Sequence, residues 1–103
     1  MNLERRGDTR HNFGAIAEVI DLAERDAQVS LIQDLSLSGC FVKTATPYAE
    51  GTRVRVRIIH LGGELVAVGN ITANVTATGM GIAFTQIYPI DQAILERWLR
   101  ESG

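Results

Sequence analysis

Six residues in this chain have types and spacings suited to holding an anion or reading a base edge. They are Arg5, Arg6 and Arg10 near the N-terminus, then Asp34, Ser36 and Gly39 about two dozen residues on. Guanidinium groups pair bidentately with anionic oxygens and lie flat against planar groups, so the segment could clamp something anionic and planar. Every basic residue in Leu3-Glu-Arg-Arg-Gly-Asp-Thr-Arg10 is an arginine, where lysine would do this poorly. The alternative is a solvated tail, and Asp8 inside the segment partly neutralises a clamp. Two arginines separated by three residues are weak evidence alone, since nine arginines in 103 positions give about 0.8 such pairs by chance. Arg53 and Arg57 form such a pair within a strand pattern, where they read as its wet face.

Asp34-Leu-Ser36-Leu-Ser-Gly39 is more specific, because composition gives roughly 0.03 chance occurrences of its pattern of Asp or Asn, Ser and Gly. On a strand, a spacing of two places Asp34 and Ser36 on one face. The carboxylate there can accept from a nitrogen-bearing edge, and the hydroxyl can donate to a phosphate or carbonyl. Gly39 permits a sharp turn or a close ligand approach. An Asx or Ser turn between two strands explains the same residues and stays open on this motif alone.

Elsewhere the chemistry-bearing residues form no catalytic set. His11 and His60 lack metal-ligand spacing, Cys40 reads as packing, and Ser30, Ser36, Ser38 and Ser102 lie in no nucleophile elbow. The glycines at 62–63 and 79–81 make no phosphate loop. The chain is expected not to be an enzyme, and it implies no cofactor and no metal.

The elements that must position the six residues follow from periodicity. Thr52-Arg-Val-Arg-Val-Arg-Ile-Ile59 alternates perfectly enough to have one buried face. Residues 64–76 place Leu65, Ala67, Ile71, Ala73 and Val75 on one face, with Gly69 among them as the site of a bend or bulge. Further strands are expected at 15–20, 28–35, 40–44 and 79–84, with turns near 24–26, 36–39, 46–51, 61–63 and 78–79. Six short strands at this spacing predict a mainly β chain, an antiparallel six-stranded barrel or a sandwich. Residues 90–102 change period. Ile90, Ile94, Leu95, Trp98 and Leu99 make the apolar stripe of a helix after Pro89, with Asp91 placed to cap the first turn or favour its dipole. Such a helix would cover an open end or edge of the barrel.

Composition bounds the rest. One domain fits 103 residues, with 46% hydrophobic and 21% charged residues as in globular chains. A net charge of −2 and a pI near 5.6 argue against a general nucleic-acid coat. A lone cysteine, the lack of a membrane-length apolar run and the lack of a signal-peptide pattern predict a cytoplasmic domain without membrane insertion.

Taken together, Arg6-x-x-x-Arg10, Asp34-x-Ser36-x-x-Gly39, strands ending in Gly-Met-Gly-Ile-Ala-Phe84 and a final helix resemble the PilZ domain family over nearly the whole chain. The resemblance implies a single domain at 1–103: an Arg-rich segment at 1–13 that is mobile until ligand orders it, a closed six-stranded barrel at 14–86 and the helix. It implies binding of the bacterial second messenger cyclic di-GMP through Arg6, Arg10, Asp34, Ser36 and Gly39. Arg5 resembles the variety that favours two stacked ligand molecules. The family suggests motility, pilus assembly or exopolysaccharide synthesis, through a downstream protein. Two other readings compete: a PilZ-like protein–protein adaptor that no longer binds nucleotide, and a barrel binding single-stranded nucleic acid along Arg53, Arg55 and Arg57. The last lacks the interleaved aromatics needed for stacking.

Overall fold

Alternation builds the barrel, and the computed structural model describes its backbone over residues 11–102 and its side chains over 14–101. In chain order the elements are β1 (His11–Asp21), β2 (Ala27–Leu35), β3 (Gly39–Lys43), β4 (Arg53–His60), β5 (Gly63–Thr76), β6 (Gly79–Ile87) and α1 (Pro89–Ser102). The six strands close in the order β1-β2-β3-β6-β5-β4, and every neighbouring pair is antiparallel. Barrel and helix agree with the expected fold. The main shift in bounds is at β1, which begins at His11 rather than at Ala15.

Each strand sends one stripe inward. Val54, Val56 and Ile58 are buried while Arg53 and Arg55 face solvent, as the period of two requires. Val19, Val42, Leu65 and Ile82 complete the core from the other strands. Closure leaves no unpaired sheet edge.

Where the barrel bends, the alternation slips. The β5–β6 register shifts between Val68 and Gly69, and a Cβ at Gly69 would collide with the carbonyl oxygen of Ala83. The glycine is needed for that close backbone approach. A second shift lies between Ile71 and Val75. It turns Ala73 out to solvent, against the expectation that it shares the inner face of Leu65 and Ile71.

Both ends of the barrel are covered. At the end where β1 starts and β4 finishes, α1 drives Leu95 and Trp98 into the core. Trp98 meets His60 edge to face, with centroids 5.2 Å apart and planes at 73°. Asp91 lies in the first turn, where its charge favours the helix dipole, and its Oδ1 accepts from Val66 N–H at 3.1 Å and ties the helix to β5. Ile90 also departs from the expected stripe and is 75% exposed, so Ile94, Leu95, Trp98 and Leu99 form the packed face. At the opposite end the β3–β4 connection folds over the core through Tyr48. Its phenol lies 3.1 Å from both the carbonyl and a carboxylate oxygen of Asp26, and its N–H donates to Met80 Sδ at 3.2 Å.

Burial pushes the Tyr48 phenol above its ordinary value of 10.0, and the Asp26 and Asp21 charges push the same way against a Gln28 hydrogen bond. A group that holds its proton more tightly when folded loses stability as pH rises through its folded pKa. The unfolding free energy should therefore decline as pH rises beyond 10, and Tyr48→Phe should remove that component in urea titrations across the range. Leu95→Ala should cost about 2–5 kcal/mol by the same measurement, because it opens a cavity beneath the helix.

Candidate ligand-binding site

Strict alternation would bury Asp34. Ser30 and Ile32 on β2 are buried, and two residues further the same face still points inward. The β2–β3 register instead jumps from Ile32↔Val42 to Asp34↔Phe41. This bulge places both Gln33 and Asp34 on the outside, and burial resumes at Leu35. One extra residue thus delivers the carboxylate, half-buried, to the outer surface.

Ser36 does not share that face. It lies past the end of β2 and is fully buried. Its N–H donates to the Gly39 carbonyl at 2.9 Å. Its hydroxyl donates to the same carbonyl at 3.3 Å and accepts from Ser38 N–H at 3.3 Å. Ser36 is therefore the hub of the β2–β3 turn, which is the local hydrogen-bonding behaviour of such residues.

Gly39 serves a close approach: any Cβ would collide with the carbonyl oxygen of Ile82. β3 and β6 press together there, and the Ser38 carbonyl accepts from Phe84 N–H at 2.8 Å. Cys40 is buried in the core, in keeping with a packing role.

Cross-strand register extends the surface beyond Asp34. Asn12 of β1 pairs with Asp34, Asp34 with Phe41 of β3, and Phe41 with Gly81 of β6. Beyond Gly81 lie Thr72 and Asn74 of β5. The Phe41 ring lies where a side chain at Gly79 would stand, and Thr72 Oγ1 and Asn74 Cβ border Gly81. A shallow cleft of about 90 Å³ lies there, lined by Ser38, Gly39, Gly81, Thr72 and Asn74 among others. The strand pattern did not connect Ser38, Phe41, Thr72, Asn74 and Gly81 with this surface, since it says nothing about which outer faces meet.

Arg5, Arg6 and Arg10, and most of the 1–13 segment expected to be ligand-ordered, lie outside the described residues. Covalent geometry still constrains them. His11 pairs with Leu35, so Arg10 is joined by one peptide link, about 3.8 Å between Cα atoms, to a residue beside the end of β2.

Two other features weigh less. Arg57 is held by Glu18 at 3.1 Å and Glu64 at 3.3 Å, which removes the centre of charge from the Arg53–Arg55–Arg57 stripe. A larger pocket of about 270 Å³ between β5 and the β6–α1 junction is lined by Val66, Val68, Gln86 and Tyr88 among others, with no charged side chain in its lining among the described residues. Among the described residues no group of His, Cys, Asp and Glu can hold a metal, and no helix is long and apolar enough to cross a membrane.

The family model described as the PilZ domain matches residues 4–101. The chain belongs to the PilZ domain family. PilZ domains are binding and regulatory domains, and the family is one of cyclic di-GMP receptors. Solved structures share the fold at low identity. The PilZ domain of CeSA from a cellulose-synthesising bacterium is 22% identical with a TM-score of 0.71, over 90% of this chain and 96% of that one. The PilZ domain of YcgR from Escherichia coli, solved with c-di-GMP, is 18% identical with a TM-score of 0.76, over 95% and 91%. The Bacillus subtilis inhibitor of motility MotI/DgrA is 16% identical with a TM-score of 0.75, over 96% of this PilZ chain but only 51% of its own. No curated protein matches.

The turn makes a separable prediction. Ser36→Ala removes the hydroxyl that accepts from Ser38 N–H and donates to the Gly39 carbonyl, and should lower stability by about 1 kcal/mol in urea titrations without ligand.

Proposed function

We propose that this PilZ domain binds cyclic di-GMP and passes its level to a downstream protein. The observation that carries the reading is the bulge in β2, which turns Asp34 outward next to the point where the arginine segment joins β1. Asp34 accepts from the guanine N1–H and exocyclic amine, while Arg6 and Arg10 pair with phosphates or with guanine O6 and N7. Ser36 and Gly39 hold the turn that shapes the floor. Arg5 adds charge for a second, stacked ligand, since two dinucleotides bring four phosphates. Ligand orders the N-terminal segment over this end of the barrel, and the changed surface is what the partner reads. Ordering has an entropic cost, so affinity falls short of what the contacts alone would supply. The site acts by binding in the cytoplasm, with no cofactor and no reaction.

The adaptor reading draws support from a different face. Ile16 of β1 pairs with Leu31 of β2 and Ile59 of β4, and all three are exposed at 44%, 59% and 38%. Adjoining apolar side chains of this kind suit contact with another protein.

Calorimetric titration with cyclic di-GMP, using GTP as the control, separates the readings. Saturable binding selective over GTP is expected, with Arg10→Ala and Asp34→Ala each losing about 10- to 100-fold in affinity, as charged hydrogen bonds imply. Arg5→Ala should lower the ligand-to-protein ratio toward one. No heat at high protein concentration would overturn the receptor reading and leave the adaptor.

A further inference from the structure

A cyclic dinucleotide has two bases, and the outer row beginning at Asp34 has two chemically unlike ends. Resting on the proposed reading of this surface as a cyclic dinucleotide site, we propose that the Asp34 end admits guanine alone while the Asn74 end accepts either purine. A hybrid cyclic dinucleotide with one guanine and one adenine is then a second ligand of this domain.

The row runs Asp34 on β2, Phe41 on β3, Gly81 on β6 and Asn74 on β5. Three strand spacings separate its ends, about 14 Å along the sheet. Between them lie Phe41 and Gly81, and the cleft lies beside Gly81, where Thr72 Oγ1 and Asn74 Cβ would stand 2.6 and 3.4 Å from a Cβ. Asn74 stands at the far wall of that cleft and is exposed. Its backbone N–H donates to Thr72 Oγ1 at 3.1 Å, which steadies the wall. Its side-chain amide makes no hydrogen bond among the described residues, so both its donor and its acceptor are available.

The two ends differ in what they can satisfy. An ionised carboxylate only accepts. It can take both N1–H and the exocyclic amine of guanine, but against adenine it faces the N1 lone pair. A carboxamide carries one acceptor and two donors on one plane. Against guanine its oxygen accepts from N1–H while its nitrogen donates to O6. Against adenine its oxygen accepts from the exocyclic amine while its nitrogen donates to N1. Rotation of the amide serves both edges, so Asn74 reads a purine without choosing between the two.

The test is calorimetry with cyclic di-GMP, 3′,3′-cyclic GMP-AMP and cyclic di-AMP on the wild-type chain, Asn74→Ala and Asn74→Asp, with circular dichroism on each protein. The wild type should bind the hybrid within about threefold of cyclic di-GMP and cyclic di-AMP about 10- to 100-fold more weakly, the scale of one mismatched bidentate contact. Asn74→Ala should weaken the hybrid and cyclic di-GMP by a similar factor. Asn74→Asp makes the second end a carboxylate and should raise the ratio of hybrid to cyclic di-GMP dissociation constants about tenfold. A wild type that binds cyclic di-GMP but rejects the hybrid as strongly as cyclic di-AMP overturns the two-ended assignment alone. So does an Asn74→Asp ratio equal to the wild-type ratio. A folded wild type that binds none of the three overturns the site reading beneath it.

Discussion

The structure depends on the obligation of six strands to fill one closed interior. A barrel of this size has no lumen to spare, so each strand must send a continuous apolar stripe inward and pair with both neighbours. Any residue that must face outward from an inward position needs an extra residue in the strand. The bulge between Ile32 and Asp34 supplies it, reversing the facing of the chain over one step before Leu35 returns to the core. The carboxylate's position is thus a consequence of core packing, and the same packing holds it in place.

The turn after it follows from the same demand. β3 must come close enough to β6 for the barrel to close, and at Gly39 the two backbones approach so nearly that no side chain fits. Ser36 then ties the tight reversal together, bonding the Gly39 carbonyl and the Ser38 N–H. Two of the three motif residues after the arginines therefore hold the turn, and Asp34 alone of the three reaches the outer face.

The ends of the barrel are closed by different means, and the difference bears on signalling. Tyr48 clamps one end through hydrogen bonds to Asp26. At the other, α1 is held by Leu95, Trp98 and the Asp91 carboxylate on Val66 N–H. The arginine segment joins β1 at this second end. In the proposed function, Asp34 and the helix therefore share one rim of the barrel.

Much of the architecture was legible from the amino-acid order. Alternation in 53–59 marked a half-buried strand, the change of period after Pro89 marked the helix, and Gly69 marked the bend where β5 meets Ala83 too closely for a side chain. The six motif residues were legible as well, because residue type and spacing are properties of the chain itself. What the order alone did not contain was facing. It placed Asp34 beside Ser36 and Ala73 among the core residues, and both were reassigned by a partner distant in sequence. Bulges arise from mismatch between two strands, so no one strand records them. Nor could Asn74, Phe41 and Gly81 be connected to Asp34 before the barrel closed. The chain determined which groups were available, and only the pairing of β2, β3, β6 and β5 decided which of them share a surface, because register is fixed by the whole interior and not by any local run.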